Sequence, residues 1–202
     1  LNRGVAIDYV AKKIYWTNQS NGYIGRADID GTNKTESFIT GLTSPWDLEI
    51  DVVNGKIYWT EDIPTGGNIK RANLSDGSNV EPIVTGISGG ALGVAVDPLR
   101  SKLFYTVFGT GAVFSANLDG TNAAQISGLS AIADIDVDYI TGRIYTIDYG
   151  SDQLAKSDAD GNNKIFITGT NGLFIEYADV TTPTITNILR QNPSGTNAFV
   201  GG

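Results

Sequence analysis

Short apolar segments that end in aspartate recur four times along the chain, and an aromatic segment follows each of them six or seven residues later. Apolar residues occupy both parities of several of these segments, which is typical of strands that are buried on both faces. The first segments are Gly4–Asp8, Asp47–Asp51, Gly93–Asp97 and Asp134–Asp138, and the aromatic segments are Ile14–Thr17, Ile57–Thr60, Leu103–Thr106 and Ile144–Ile147. The pattern therefore predicts two strands in each repeat, joined by a short turn.

Each repeat contains two further segments that are separated by an Asp-Gly pair. The pairs are Asp30-Gly31, Asp76-Gly77, Asp119-Gly120 and Asp160-Gly161, and the segments that follow them are 37–41, 82–86, 124–128 and 165–169. Glycine accepts the positive φ that a tight turn needs, so Asp-Gly between two strands predicts a hairpin. Four short antiparallel strands in about 43 residues are typical of one propeller blade.

The predicted fold class is therefore all-β, a β-propeller with four clear four-stranded blades. The blades are predicted at about 4–46, 47–92, 93–133 and 134–170, and a partial strand at 171–182 completes a propeller domain over residues 1–182. One blade cannot bury both faces of its own sheet. We therefore expect the blades to pack face to face around a common axis.

Two of the aromatic segments resemble a known repeat motif. Tyr15–Asn18 reads YWTN and Tyr58–Glu61 reads YWTE, which is similar to the YWTD motif of the low-density-lipoprotein-receptor class B repeat family. The later copies depart from the motif, because they read FYTV from Phe104 and YTID from Tyr145. The resemblance covers roughly residues 4–180, and it implies a six-bladed ring that binds partners. Six blades would need about 260 residues, so we expect an incomplete, open arc that further blades of a parent chain, or another chain, would close.

The last segment, residues 183–202, differs in character from the repeats. Residues 183–195 resemble the first strand of the immunoglobulin-like repeats of large bacterial surface proteins. The segment is accordingly either the start of an immunoglobulin-like domain of the parent chain or a plain linker.

Composition removes several classes of function. The 202 residues include no Cys and no His, so disulfides and thiolate metal sites are excluded, and the commonest general base and metal ligand is missing. The net charge of −8 opposes binding to nucleic acid. No apolar run reaches the length of about 18 residues that a membrane span requires. Receptors of the resembling family carry Cys-rich modules and this chain has none, which points toward a bacterial stand-alone version. The resemblance and the tail similar to surface-protein repeats imply an extracellular or cell-surface location.

Residues that recur at fixed repeat positions are expected to have structural roles. The motif aromatics should pack between blades with their hydroxyl or indole N–H groups hydrogen-bonded at the blade rim: Tyr15, Trp16, Tyr58, Trp59, Phe104, Tyr105 and Tyr145. The aspartates that end the first strands should cap the turns that follow: Asp8, Asp51, Asp97 and Asp138. Arg26 and Arg71, on the third strands of two repeats, are expected to pair with these aspartates across strands.

Trp46 is the first candidate for contact with a partner. It lies in the loop that enters the second blade, where other repeats carry Leu92 and Ala133, so the repeat itself does not require tryptophan there. Loops at this position line one propeller face, where the resembling family binds partners. Packing at the blade rim is the alternative role.

An acidic group is the second candidate. Asp47, Glu49, Asp134 and Asp136 belong to the strands that should lie nearest the axis, where the first and third blades carry only glycine and alanine. If these side chains converge, they form an acidic channel that holds a basic side chain or a cation such as Ca²⁺. A solvated channel mouth is the alternative, and no other cofactor is expected.

The function that these features favour is a non-catalytic binding or adhesion module that recognises a protein or glycan partner through a propeller face. No catalytic residue is predicted, because no nucleophile elbow, phosphate loop or dinucleotide fingerprint occurs. Two alternatives stay open. Propellers also host hydrolases and lyases that use a central metal or carboxylates, and the chain could be a structural spacer in a large surface protein.

Overall fold

The computed structural model describes residues 1–63, 65–126, 129, 134–148, 153–167, 188–191 and 197–200. All regular structure in these ranges is β-strand, and the described part of the chain contains no helix with the length and apolar character that crossing a membrane requires. The predicted partial strand at 171–182 lies outside the described residues.

Four antiparallel sheets of four strands follow one another along the chain, each with its strands in sequence order. The first contains β1 (Asn2–Asp8), β2 (Lys13–Asn18), β3 (Tyr23–Asp28) and β4 (Thr35–Thr40), and the second β5 (Pro45–Asp51), β6 (Lys56–Glu61), β7 (Gly67–Asn73) and β8 (Glu81–Ile87). The third contains β9 (Ala91–Asp97), β10 (Lys102–Val107), β11 (Ala112–Asn117) and β12 (Ala124–Gln125), and the fourth β13 (Asp134–Asp138), β14 (Arg143–Asp148), β15 (Gln153–Ser157) and β16 (Ile165–Ile167). The all-β fold class and the four four-stranded blades are confirmed.

A separate two-stranded sheet lies in the last part of the chain. Strands β17 (Ile188–Gln191) and β18 (Asn197–Val200) pair antiparallel. Whether residues 183–202 form a linker or begin an immunoglobulin-like domain stays a prediction, because most of that range lies outside the described residues.

The first strands of consecutive blades are neighbours, so β1 contacts β5, β5 contacts β9, and β9 contacts β13. Each first strand runs from one face of the propeller to the other. We call the face where these strands begin the loop face, because the inter-blade loops 41–44 and 88–90 lie there. The opposite face carries the turns 9–12, 52–55, 98–101 and 139–142, and we call it the hairpin face.

The hydrophobic core is divided into layers between blades. Successive residues of a strand point to opposite faces of its sheet, so the two motif aromatics of one blade enter different layers. Tyr15 of the first blade packs in one cluster with Trp59 of the second, and Tyr58 packs in the next cluster with Tyr105 of the third. The tyrosine therefore points to the following blade, and the residue after it points to the preceding blade.

The indole N–H of Trp59 does not follow the expected pattern of rim hydrogen bonding. Trp59 is 0 % exposed, and its Nε1 has no hydrogen-bond partner among the residues that the structure describes. The equivalent Trp16 of the first blade is only partly buried. It lies across Gly25 of the neighbouring strand, where a Cβ would come within 2.3 Å of the indole ring.

The threonine of the motif links each blade to the next through its hydroxyl group. The first strands of three blades have an irregular register near their start. At this point the threonine hydroxyl accepts a hydrogen bond from an amide of the first strand: Thr17 from Gly4, Thr60 from Asp47 and Thr106 from Gly93. The same hydroxyls donate across the blade boundary, from Thr17 to the Trp46 carbonyl at 2.6 Å and from Thr60 to the Leu92 carbonyl at 2.5 Å. One side chain therefore satisfies two backbone groups of different blades.

The aspartates that end the first strands accept hydrogen bonds from the amides of the turns that follow. Asp8 accepts from Val10 and Ala11, and Asp138 accepts from Ile140, at distances of 2.8–2.9 Å. Asp51 and Asp97 make the equivalent bonds with amides three residues further along. All four carboxylates are buried, with 0–5 % of each residue exposed.

The two arginines have other partners than the aspartates expected for them. Arg26 lies opposite Tyr15 in the strand register and shares its face, which points to the following blade. It donates there to the Ser75 carbonyl at 3.0 Å, and Arg71 likewise reaches the Leu118 carbonyl at 2.9 Å. The predicted pairing was wrong because the second strand of each blade lies between the two residues: each arginine is opposite the motif tyrosine in the register, while the aspartate bonds to amides of its own turn.

We expect Thr60→Val to destabilise the protein more than its change in volume would suggest. The substitution keeps the shape but leaves the Asp47 amide and the Leu92 carbonyl without their partner. Two unsatisfied groups at a blade interface should lower the free energy of unfolding by about 2–4 kcal/mol. Urea unfolding would measure the loss, with the exposed Thr40→Val as the control, which should stay within about 0.5 kcal/mol of wild type. Equal effects of the two variants would contradict the bridging role.

Burial raises the pKa of Tyr105 to about 12. Between pH 10 and this value the unfolded chain releases the phenolic proton while the folded chain retains it, so stability falls as pH rises through that window. The contribution is at most about 1.4 kcal/mol per pH unit. Tyr105→Phe keeps the ring, which stacks on Phe114 at 5.2 Å, and should make the alkaline loss of stability shallower. Urea titrations from pH 8 to about 11 test this, and parallel curves for both proteins would exclude it.

Candidate functional site

A cavity of about 620 Å³ runs between the first strands of the four blades. Its wall is mainly apolar and includes side chains from β1, β5, β9 and β13 and from the turns of the hairpin face. All four members of the predicted acidic group line this one cavity: Asp47, Glu49, Asp134 and Asp136. Among the described residues of its lining, Arg3 is the one cation.

The carboxylates of the cavity are fixed by backbone amides. Asp47 Oδ2 accepts from the Val94 amide of the third blade at 2.9 Å. Glu49 and Asp136 accept from the amides of Ile50 and Val137, at 2.9 and 2.6 Å. These bonds hold the acidic side chains along the strands that surround the cavity, so their position follows from the backbone.

Glycine in one blade leaves the room that aspartate needs in the next. A Cβ on Gly4 would come within 2.8 Å of Asp47, and a Cβ on Gly93 would come within 2.9 Å of Asp134. Neither glycine is marked by a positive φ, so close packing and not turn geometry explains them. The alternation of small and acidic residues at this strand position is therefore a packing requirement between neighbouring blades.

The acidic group does not form a metal site of the usual kind. Within the described ranges, no three His, Cys, Asp or Glu residues come close enough together to hold a metal ion.

The carboxylates of the Asp-Gly turns on the outer strands form hydrogen bonds within their own turns. Asp30 and Asp119 accept hydrogen bonds from Thr32 and Thr121, and these bonds hold their pKa values below the usual range.

Trp46 lies on the loop face inside a small polar cluster. The guanidinium of Arg3 stacks over its ring at 3.8 Å from the ring centre, which is a cation–π contact. Arg3 also donates to Gln19 at 2.9 Å, and Gln19 donates to Ser44 at 3.0 Å. The contact with Arg3 covers part of the indole, and no feature of the repeat pattern indicates it.

Asp62 adds a carboxylate to the same face. Its amide donates to the Ser44 carbonyl at 3.0 Å. Burial raises its pKa, while the nearby charge of Arg3 acts in the opposite direction. The sequence pattern gave no reason to select Asp62, because it follows the motif in the least regular part of the second blade.

The fourth motif position is structural in the second blade. Glu61 is 1 % exposed and accepts from Lys70 at 3.0 Å and from the Thr43 amide at 3.1 Å. Thr43 belongs to the loop that connects the first two blades. The buried carboxylate therefore ties this loop to the second sheet.

The fold and its central cavity define the protein as a β-propeller with an acidic axial cavity. A search of solved structures supports this class. A crystal structure of a nidogen/laminin complex matches with a TM-score of 0.80 and 23 % identity, over 96 % of this chain and 72 % of that one. A gluconolactonase from Xanthomonas campestris matches with a TM-score of 0.70 and 16 % identity, over 87 % of this chain and 65 % of that one. A virginiamycin B lyase from Staphylococcus aureus matches with a TM-score of 0.65 and 14 % identity, over 99 % of this chain and 69 % of that one. At these identities the likeness concerns the fold alone.

The sequence comparison is more specific. Low-density lipoprotein receptor-related protein 5 of Mus musculus is 36 % identical over 58 residues, which are 29 % of this chain and 4 % of the mouse protein. No protein-family model matches the chain. This relative supports the resemblance of the repeat motifs to YWTD, low-density-lipoprotein-receptor class B repeats, and the nidogen structure supports the propeller fold.

We expect Gly93→Ala to destabilise the contact between the third and fourth blades. The new Cβ would lie 2.9–3.0 Å from Asp134 and the Ile135 amide, and overpacking of this kind costs about 1–3 kcal/mol. Gly66→Ala is the matched control, since its Cβ would meet nothing closer than 4.0 Å. Urea unfolding of both variants measures the difference. A Gly93 variant as stable as the Gly66 variant would contradict the packing argument.

Proposed function

We propose that the chain is an extracellular, non-catalytic binding module that recognises a protein partner through the loop face and the axial cavity. The observation that carries the proposal is the convergence of Asp47, Glu49, Asp134 and Asp136 on one cavity of about 620 Å³. The described lining has four carboxylates and one guanidinium, so it favours a basic side chain of a partner. Arg3 lines this cavity and supplies a cationic contact, and the ring of Trp46 on which it stacks supplies an aromatic contact on the loop face.

Several features support a protein partner. Aromatic and arginine side chains are enriched where proteins bind one another, and Trp46 with Arg3 is such a pair. The nidogen structure that resembles this fold is that of a complex with laminin. The chain's net charge of −8 favours positively charged partners. The low-density lipoprotein receptor-related protein among its relatives supports an extracellular location.

A binding screen tests the proposal. The chain is applied to arrays of extracellular matrix proteins and of glycans, in parallel with the variant Trp46→Ala/Glu49→Gln/Asp136→Asn. The two amides keep an acceptor oxygen for the backbone bonds of Glu49 and Asp136, so folding should persist while charge and ring are lost. We expect a protein ligand whose affinity falls about ten-fold or more in the variant, which is 1.4 kcal/mol.

Val80→Ala provides the control, because Val80 is 46 % exposed and lies away from the cavity lining. This variant should bind as wild type does, and thermal unfolding should show that all three proteins fold. Protein ligands that bind the triple variant unchanged would refute the role of this site. Binding only to glycans would reject the protein partner.

A further inference from the structure

The turns of the hairpin face carry exposed apolar side chains in every blade. Each capping aspartate is followed by two apolar residues at the tip of the turn, and the pairs are Tyr9-Val10, Val52-Val53, Pro98-Leu99 and Tyr139-Ile140. The second residue of each pair is the more exposed, with 84 % for Val10 and 65 % for Val53. Leu99 is 68 % exposed and Ile140 is 48 % exposed.

Blade folding does not explain these side chains. The capping aspartate bonds to backbone amides, which any residue at the tip would supply, and polar residues are the usual choice in exposed turns. The outer turns on the same face follow that rule, with Asp30-Gly31, Asp76-Gly77 and Asp119-Gly120. In the described outer turns the large exposed apolar residues are single ones, Ile29 and Val80, whereas each turn nearest the axis carries an apolar pair. Exposed apolar side chains that form one group mark interaction surfaces.

The apolar tips surround one mouth of the axial cavity. Val10, Val53, Leu99 and Ile140 all line the same cavity as the four carboxylates. Arg3, the cation in the part of the lining that the structure describes, is held toward the loop face by Trp46 and Gln19. A molecule that enters from the hairpin face consequently meets apolar side chains first and acidic side chains behind them.

We propose that the hairpin face docks a protein segment in which a lysine or arginine is flanked by aliphatic side chains. The basic side chain enters the cavity toward Glu49 and Asp136, and the flanking side chains pack on the apolar tips. The proposed function uses the same carboxylates, and this proposal rests on it for that reason. Docking at the hairpin face does not involve Trp46.

Charge selects this occupant over a second copy of the chain. Two copies docked by their hairpin faces would bring two acidic cavities mouth to mouth, in a chain with a net charge of −8. Like charges brought together at an interface oppose association. A basic segment instead offsets the carboxylates while its aliphatic neighbours cover the tips.

The test uses the peptide Gly-Val-Lys-Val-Gly, with blocked termini, titrated into the chain and followed by NMR. Two matched peptides carry either acetyl-lysine in place of lysine or serine in place of both valines. We expect saturable binding of the first peptide, and affinities lower by about ten-fold or more for each of the other two. The triple variant Val10→Ser/Val53→Ser/Leu99→Ser should lose binding to a similar degree, while Val80→Ser should bind normally.

The outcomes separate this proposal from the proposed function. Absence of saturable binding at millimolar peptide, or equal binding by the tip variant, overturns docking at the hairpin face. Loss of binding in Glu49→Gln/Asp136→Asn without loss in the tip variant leaves the acidic cavity as a site but rejects the apolar surface. A dimer in sedimentation that the tip substitutions dissolve, or sedimentation with lipid vesicles, would assign the surface to another occupant and also overturn the proposal.

Discussion

The structure depends on the burial of both faces of each sheet against neighbouring sheets. A four-stranded blade has apolar side chains on both sides, and no helix in the described part of the chain covers either one. The adjacent positions of Tyr58 and Trp59 solve this problem, because the first enters the layer with the following blade and the second enters the layer with the preceding one. A repeat of this kind is stable only as a neighbour of other repeats.

Polar contacts fix the position of each blade relative to its neighbour across the apolar layer. Apolar burial alone would tolerate sliding of one sheet over another, since it has no preferred direction. The hydroxyl of Thr60 and the guanidinium of Arg71 each bond to single carbonyls of the following blade, Leu92 and Leu118. These two contacts lie at opposite ends of the sheet, so together they fix how far and at what angle one blade is displaced from the next.

The sequence was sufficient to predict the strands, because their alternation, the Asp-Gly turns and the motif recur at nearly constant spacing. It also put the four acidic residues on the strands nearest the axis, but their convergence on one cavity was only a condition of the prediction until the structure showed it. The partners of Arg26 could not be predicted, because cross-strand and cross-blade neighbours have the same sequence signature. The apolar tips such as Val10 were missed, because a pattern of apolar residues does not reveal which of them remain exposed.

The alternation of Gly4, Asp47, Gly93 and Asp134 has a consequence for how such a chain can be lengthened or shortened. Because each aspartate occupies the space left by the glycine before it, the unit that can be duplicated is a pair of blades. Removal of the third blade alone would place the second and fourth side by side and bring Asp47 against Asp134, with neither the room nor the charge balance for both. Insertions and circular permutations of this propeller should therefore be designed in steps of two blades.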